Sequence, residues 1–377
     1  MKRISILALS LDKGGAEKVI HTILPYLVLN HEIALVLFYN QVKFDIPKEV
    51  KVEFLLNKSQ LNFFEKIFLF PLALYKYHKF LKEQHIEISI SFLTRPNFVN
   101  SLMKIFNKGI KIVLSERCFP STAYRSNSFR YAFYKVLIPK LYNKADVLFS
   151  NSIHINIDLR KNFRVKIPMA VIYNPVEIPF FNEGRKIGSS FFRIVNVASF
   201  TLIKNQKMII DSIENLDFDL TLTLIGDGPK RKELMDYSHC KGLTDRIKFM
   251  GKIDTVNEQL LNNDCFVLSS NTEGFPNALL EAMAAGLPVI STNCISGPLE
   301  LLNKNNEVAI KKGEFYVAEY GILINVNDIL ALSRAITYLK IHSSERESLG
   351  IKARERASQF TVDDFVEKLE KLLWDEV

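Results

Sequence analysis

Short apolar runs alternate with longer stretches of mixed polarity along most of the chain, the pattern of an alternating α/β protein. In the first half, residues 3–9, Ile33–Tyr39, Val52–Leu55, Ile88–Phe92, Ile112–Ser115 and Val147–Ser150 read as strands with helices between them. The first of those helices opens at Gly14-Gly15-Ala16-Glu17 and runs to about Leu29. The pattern resumes after a polar stretch, with strand-like runs at Arg193–Ala198, Leu220–Ile225, Phe266–Leu268, Pro288–Ile290 and Gly321–Ile324. Helices are expected over Asp328–Tyr338 and Val362–Trp374. At 377 residues the chain exceeds one ordinary core and fits two domains. The linker is expected over 174–191, where Pro179 and a polar run, Asn182–Ser190, follow Tyr173-Asn174-Pro175-Val176.

The stretch from Cys265 to Glu300 carries the densest chemistry. Phe266-Val267-Leu268 ends in small polar residues and a loop, Glu273-Gly274-Phe275-Pro276. A helix-forming run from Asn277 to Ala285 follows, stopped by Gly286 with Pro288 just beyond. Strand, loop, helix, strand is half of a nucleotide-binding parallel sheet. Pro276 suits a first helical turn, where its missing N–H is not needed. The amides of Asn277 and Ala278 would then stand at a free helix N-terminus, which attracts anions. Glu273 and Glu281 bracket that position; a carboxylate would repel phosphate, so each is expected to accept from sugar hydroxyls.

These residues resemble the signature of retaining glycosyltransferases of family 4, in which two glutamates stand eight positions apart around a Gly-Phe-Pro turn. Here it reads Glu273-Gly-Phe-Pro-Asn-Ala-Leu-Leu-Glu281, followed by Ala-Met-Ala-Ala-Gly-Leu-Pro-Val-Ile. The resemblance implies two Rossmann-like domains facing across a cleft, the B-type glycosyltransferase architecture. It places a first, acceptor-side domain over 1–178, braced by a returning helix in 361–377 with Trp374 in the contact. The nucleotide-sugar domain would span 179–360. The resemblance also puts Gly14 and Gly15 opposite the nucleotide, and Glu273, Phe275, Pro276, Asn277, Ala278 and Glu281 around the donor. Gly226 and Ile253 would lie in loops near the base. Lys204 would neutralise the donor diphosphate as it leaves. Two positions depart from the family: Arg117 stands where many relatives have a His beside the reacting sugar, and Ser199 where an Arg is common. The guanidinium of Arg117 is expected to take over part of the charge on the donor phosphate.

Function, on this resemblance, is transfer of a hexose or N-acetylhexosamine from a nucleotide-sugar, UDP-linked in most such relatives, with retention at the anomeric carbon. No metal or other cofactor is implied. Asp217-Phe218-Asp219 superficially matches a metal motif, but it precedes a strand, away from the loops where ligands gather. The expected acceptor is a glycan on a lipid carrier, as in bacterial surface-polysaccharide assembly. The rival readings are a non-catalytic partner subunit that binds nucleotide-sugar, and a nucleotide-sugar epimerase.

Charge adds a membrane expectation. Residues 1–180 hold 26 Lys and Arg against 13 Asp and Glu, whereas the remainder holds 23 against 28. Two segments, Leu61–Phe80 and Phe129–Tyr142, interleave aromatics with Lys and Arg. They fit either interfacial helices or helices packed on their own sheet. No nucleic-acid-binding module is recognisable. Four separated cysteines without metal spacing, a first strand in place of a signal peptide and the lack of a membrane-length apolar run point to the cytoplasmic face of a membrane, held there peripherally.

Overall fold

The structure is a computed structural model and describes residues 1–12, 14–56, 58, 65, 68–125, 128–178, 191–253 and 255–374. Most of the expected linker, 179–190, and residues 61–64, 66 and 67 of the first aromatic segment lie outside the described residues. The chain divides into one unit of Met1–Pro175 with Val362–Val377, and a second of Val176–Thr361.

The first unit is built on strands β1 (Arg3–Ala8), β2 (Glu32–Tyr39), β3 (Lys51–Leu56), β4 (Ile88–Phe92), β5 (Lys111–Glu116), β6 (Val147–Ser150) and β7 (Met169–Val171). They pair in the order β3-β2-β1-β4-β5-β6-β7, every pair parallel. Apart from β4, where the buried Ser89 and Ser91 alternate with apolar residues, their interior strands read as apolar runs because both faces are covered. Leu7, Val36 and Ile112 enter one core with Tyr77, Phe98 and Tyr142, while Ile6, Leu35 and Val113 enter the opposite one with Ile20 and Phe365. Phe365 comes from the final helix, Val362–Trp374, whose apolar residues recur three and four apart. That spacing buries Phe365, Val366, Leu369 and Leu373 together on the first unit's sheet. Lys111 Nζ donates to the carbonyl of Leu373 at 2.9 Å and ties the helix end to β5. Trp374 closes the contact only in part: its ring lies 5.5 Å from that of His31 and the residue stays 45% exposed.

The second unit repeats the plan with β8 (Phe192–Val197), β9 (Leu220–Ile225), β10 (Ile247–Gly251), β11 (Cys265–Leu268), β12 (Val289–Thr292), β13 (Phe315–Ala318) and β14 (Gly321–Ile324). The order is β10-β9-β8-β11-β12-β14-β13, parallel except for the β13–β14 hairpin. β10 and β13 are the sheet's edges and keep exposed positions; Lys248 breaks the apolar run of β10, while β13 is apolar but only four residues long. The loop expected to carry Ile253 therefore begins only after Gly251, the last residue of β10.

In each sheet the strand order reverses direction once, between β1 and β4 and between β8 and β11. Chain leaves neighbouring carboxyl ends toward opposite faces at such a point, and the loops part to leave a crevice for ligands.

Both aromatic, basic segments divide their residues between core and surface. The helix Phe70–Glu83 buries Tyr77 and Phe80 but leaves Tyr75 64% exposed, and Ser128–Tyr142 buries Ile138 and Tyr142 but leaves Phe129 82% exposed. Among the described residues no helix is long and apolar enough to cross a membrane.

Candidate functional site

The second sheet's switch point brings together the loops after β8 and β11. The first, Ser199–Asn205, is strapped down by backbone carbonyls: Ser269 Oγ donates to Lys204 O at 2.7 Å and Asn271 N to Ile203 O at 2.8 Å. Gln206 Nε2 donates to Ser199 O at 3.2 Å from the other side. Lys204 is thereby aimed at Glu273, and its Nζ donates to both carboxylate oxygens at 2.6 and 2.8 Å. Ser270 Oγ donates to Glu273 Oε1 at 2.6 Å. The Glu273 side chain is 7% exposed and that of Lys204 25%. The pair is thus nearly withdrawn from water on the carboxylate side and open on the ammonium side. An ammonium has three donors; the third one of Lys204 has no partner among the described residues.

Neighbouring polar groups lock the carboxylate's loop. Thr292 Oγ1 donates to Ser270 O at 2.6 Å and Ser296 Oγ to Gly274 O at 2.5 Å. The Cys294 thiol is pushed up to about 12 by burial, with the nearby Glu273 charge adding to it, so it is neutral. Ser270, Thr292 and Cys294 were not singled out as site residues from sequence; the signal available was a run of small polar residues after each of two neighbouring strands.

The helix that follows the loop is Asn277–Ala284. Pro276 caps it rather than starting it, with φ −84° and ψ 81°, and its ring lies beside Gly297. A Cβ on Gly297 would lie 2.3 Å from Pro276 Cδ. The amide of Asn277 is not free as expected: it donates to Phe275 O at 3.1 Å. Ala278 supplies the first-turn amide instead. Phe275 turns inward, 7% exposed, with its ring 6.5 Å from Phe360. Glu281 sits half-buried in the second turn of this helix.

The loop after β9 nests against the loop after β8. Gly226 N donates to Gly251 O at 2.8 Å, Phe200 N to Asp227 O at 3.0 Å and Lys230 N to Phe200 O at 3.0 Å. Ile253 follows β10, half-buried. Asp217 and Asp219 stand at the amino end of β9, the opposite end of the parallel sheet from Glu273. Among the described residues no group of three His, Cys, Asp or Glu is placed to hold a metal ion.

The first unit holds the remaining candidates. Gly14 caps the helix Gly15–Leu27, and a Cβ there would fall 2.3 Å from Glu17 Oε2. The Glu17 carboxyl folds back over the turn; burial raises its pKa, against the pull of its own backbone amide. Arg117, at the end of β5, is 8% exposed. Its Nη1 donates to Asn174 Oδ1 at 2.6 Å, and its guanidinium carbon lies 5.0, 5.3 and 5.8 Å from the rings of Phe92, Phe149 and Phe365. Burial pulls its pKa down to about 9, opposed by Glu116, so it remains charged at neutral pH. Contact with a donor phosphate, the expected role, would require it to leave this cage. Beside it Glu116 is fully buried and accepts from Tyr142 Oη at 2.6 Å and from the Arg117 amide at 3.1 Å.

This geometry offers a carboxylate fixed by two donors and an ammonium with one donor to spare. Residues 180–356 match the family model of glycosyl transferases group 1. The chain is 28% identical over 366 residues to the N-acetylgalactosamine-N,N'-diacetylbacillosaminyl-diphospho-undecaprenol 4-alpha-N-acetylgalactosaminyltransferase of Campylobacter jejuni, covering 96% of each protein. It is 24% identical to a second Campylobacter jejuni enzyme, the GalNAc-alpha-(1->4)-GalNAc-alpha-(1->3)-diNAcBac-PP-undecaprenol alpha-1,4-N-acetyl-D-galactosaminyltransferase, covering 99% of this chain and 98% of that one. Among solved structures, Anabaena Alr3699/HepE in complex with UDP and glucose superposes with a TM-score of 0.76 at 19% identity, over 99% of each chain.

Proposed function

We propose that this chain, a glycosyltransferase by its group 1 domain and its relatives, is a retaining enzyme of family 4. It moves a hexose or N-acetylhexosamine from a UDP-sugar to a glycan carried on a lipid diphosphate. The carrying observation is the Lys204–Glu273 pair at the switch point of the second sheet, within the residues that match the transferase model. The relatives' diphospho-undecaprenol acceptors and the UDP bound by the Anabaena protein support the choice of acceptor and nucleotide.

In this reading the donor diphosphate takes the spare donor of Lys204, and Glu273 accepts from hydroxyls of the sugar being transferred. Glu281 accepts from the ribose. The bond from the anomeric carbon to the diphosphate breaks with its electron pair on the diphosphate. The acceptor hydroxyl bonds to the same face of that carbon, and its proton passes to the departing diphosphate. Charge grows on the diphosphate in the transition state, where a fixed ammonium counts most. Arg117 acts at a distance, holding Asn174 in place. The transfer needs no metal. The test is transfer of labelled sugar from UDP-GlcNAc, UDP-GalNAc and UDP-glucose to a lipid-diphosphate glycan, with and without EDTA. Turnover that survives the chelator and yields an α-linked product from the α-linked donor is expected. Absence of transfer from every donor would leave the chain a binding subunit.

Attachment to the membrane is peripheral in the same reading. Lys79, Lys82, Arg130 and Lys135 stand on the two helices with exposed aromatics. Each Lys or Arg near an anionic leaflet is worth about 1 kcal/mol. Lys76 is left out because its Nζ already donates to Leu55 O at 3.0 Å. Flotation with anionic vesicles at low salt should recover the wild type, and the variant with these four residues changed to Gln should stay in the soluble fraction. Equal recovery of both would return the two helices to purely internal packing.

A further inference from the structure

We propose that the first unit holds the isoprenoid end of its acceptor, a polyisoprenyl diphosphate, in an apolar pocket beside the carboxyl ends of β1, β2 and β3. This rests on the transfer reading above and names the part of the acceptor that reading leaves undefined. The cavity measures about 550 Å³, within the range that encloses a small ligand. Leu9, Tyr39 and Leu56 close it from the sheet, and Phe98, Leu102 and Phe133 from the helices Thr94–Phe106 and Ser128–Tyr142. Among the described residues its lining carries no acidic residue, and the one formal charge on it is Arg95.

Arg95 is exposed and makes no hydrogen bond or ion pair among the described residues. It is the second residue of the helix Thr94–Phe106, which begins just after β4 at the first sheet's switch point. A ligand that fits must be apolar along most of its length and anionic at one end. That end would lie at Arg95, on the side of the sheet where the Gly14 and Arg117 loops also emerge. Phe133, 53% exposed, and Phe70, 37% exposed, leave the pocket's rim apolar as well, so a chain can enter from a lipid surface. A polyisoprenyl diphosphate has this distribution of charge and apolar length. A bilayer phospholipid offers two chains on a phosphodiester instead. Each methylene buried tightens binding about fourfold, so a few isoprene units suffice to hold the carrier.

The experiment is calorimetric titration of the full chain with farnesyl diphosphate in the presence of saturating UDP, which keeps a diphosphate out of the donor site. Farnesyl diphosphate should bind at least tenfold more tightly than geranyl diphosphate, and inorganic diphosphate should give no heat at the same concentrations. Leu102→Trp, which fills the cavity, should weaken farnesyl diphosphate at least tenfold. Phe133→Ser alters an exposed wall residue and is not expected to disturb folding; it should weaken binding about fivefold, as should Arg95→Gln. Equal binding by all variants, equal binding of inorganic diphosphate, or dodecyl phosphate binding as well as farnesyl diphosphate would each overturn the proposal; the last would give the pocket to an acyl chain. Binding of UDP without binding of farnesyl diphosphate would remove this proposal and leave the transfer reading standing. Failure to bind UDP would strike the transfer reading itself.

Discussion

Lys204→Ala is expected to lower turnover at saturating donor by about 10²–10³-fold, the usual cost of removing a preorganised charge-stabilising donor. Its Nζ bonds both oxygens of Glu273 and has one donor left, so the side chain is held in place before the donor arrives. No reorganisation is then needed as charge builds on the diphosphate. Alanine would also strand the Glu273 carboxylate, which is 7% exposed and would keep only Ser270 as side-chain donor. The contrast is Glu281→Ala. Glu281 is assigned to the ribose, which does not change during the reaction, so its loss should weaken donor binding about tenfold or more, equivalent to about 1.5–3 kcal/mol. Steady-state kinetics separate the two: the Lys204 variant should fall in kcat, the Glu281 variant should rise in KM. Intact kcat for Lys204→Ala would exclude it from stabilising the leaving group. Unchanged donor affinity in Glu281→Ala would take that residue out of the site.

Gly226→Ala should cost the second unit more than about 4 kcal/mol, at the exceptional end for one substitution. Two constraints coincide there. The residue has φ +135°, which side-chain-bearing residues rarely adopt, and an added Cβ would lie 2.0 Å from the backbone oxygen of Ala198. Neither group can yield, because Ala198 N donates to Ile225 O at 3.0 Å and Gly226 N to Gly251 O at 2.8 Å. Relief would have to part β8 from β9, and with them the loop that aims Lys204. Gly242→Ala is the control: φ is +68°, but nothing lies within 4 Å of the added Cβ. That change should cost about 1–2 kcal/mol, the penalty of a left-handed backbone alone. Urea unfolding followed by circular dichroism compares them. Similar midpoints for the two variants would show that the loops after β8 and β9 do not depend on their close approach.

How much of this was legible beforehand depended on how local the determinant is. Most strands of the sheet interiors were visible because burial on both faces writes an apolar run, as in residues 33–39 of β2 and in β11, Cys265–Leu268; in β4, Ile88–Phe92, buried serines alternate with the apolar residues. The final helix was visible because its five buried residues recur at helical spacing. β7, β10 and β13, all edge strands, were missed: β10 is broken by Lys248, and β7 and β13 are only three and four residues long. Glu273 and Glu281 stood out through their spacing around a glycine-proline turn, which is local too.

What the sequence determined by itself was therefore the alternating α/β class, the interior strands and the identity of the two glutamates and Lys204 as candidates. Only the tertiary structure decided that Lys204 and Glu273, 69 positions apart, are a hydrogen-bonded pair. That depends on β8 and β11 being neighbours across a switch point, and strand order is set by how whole helices cover the sheet. Tertiary packing likewise brought Gly297 beside the ring of Pro276 and enclosed Arg117 in three phenyl rings, one from a helix nearly 250 residues later in the chain. Burial and partnership are properties of what surrounds a side chain, and those neighbours come from parts of the chain that no local pattern connects.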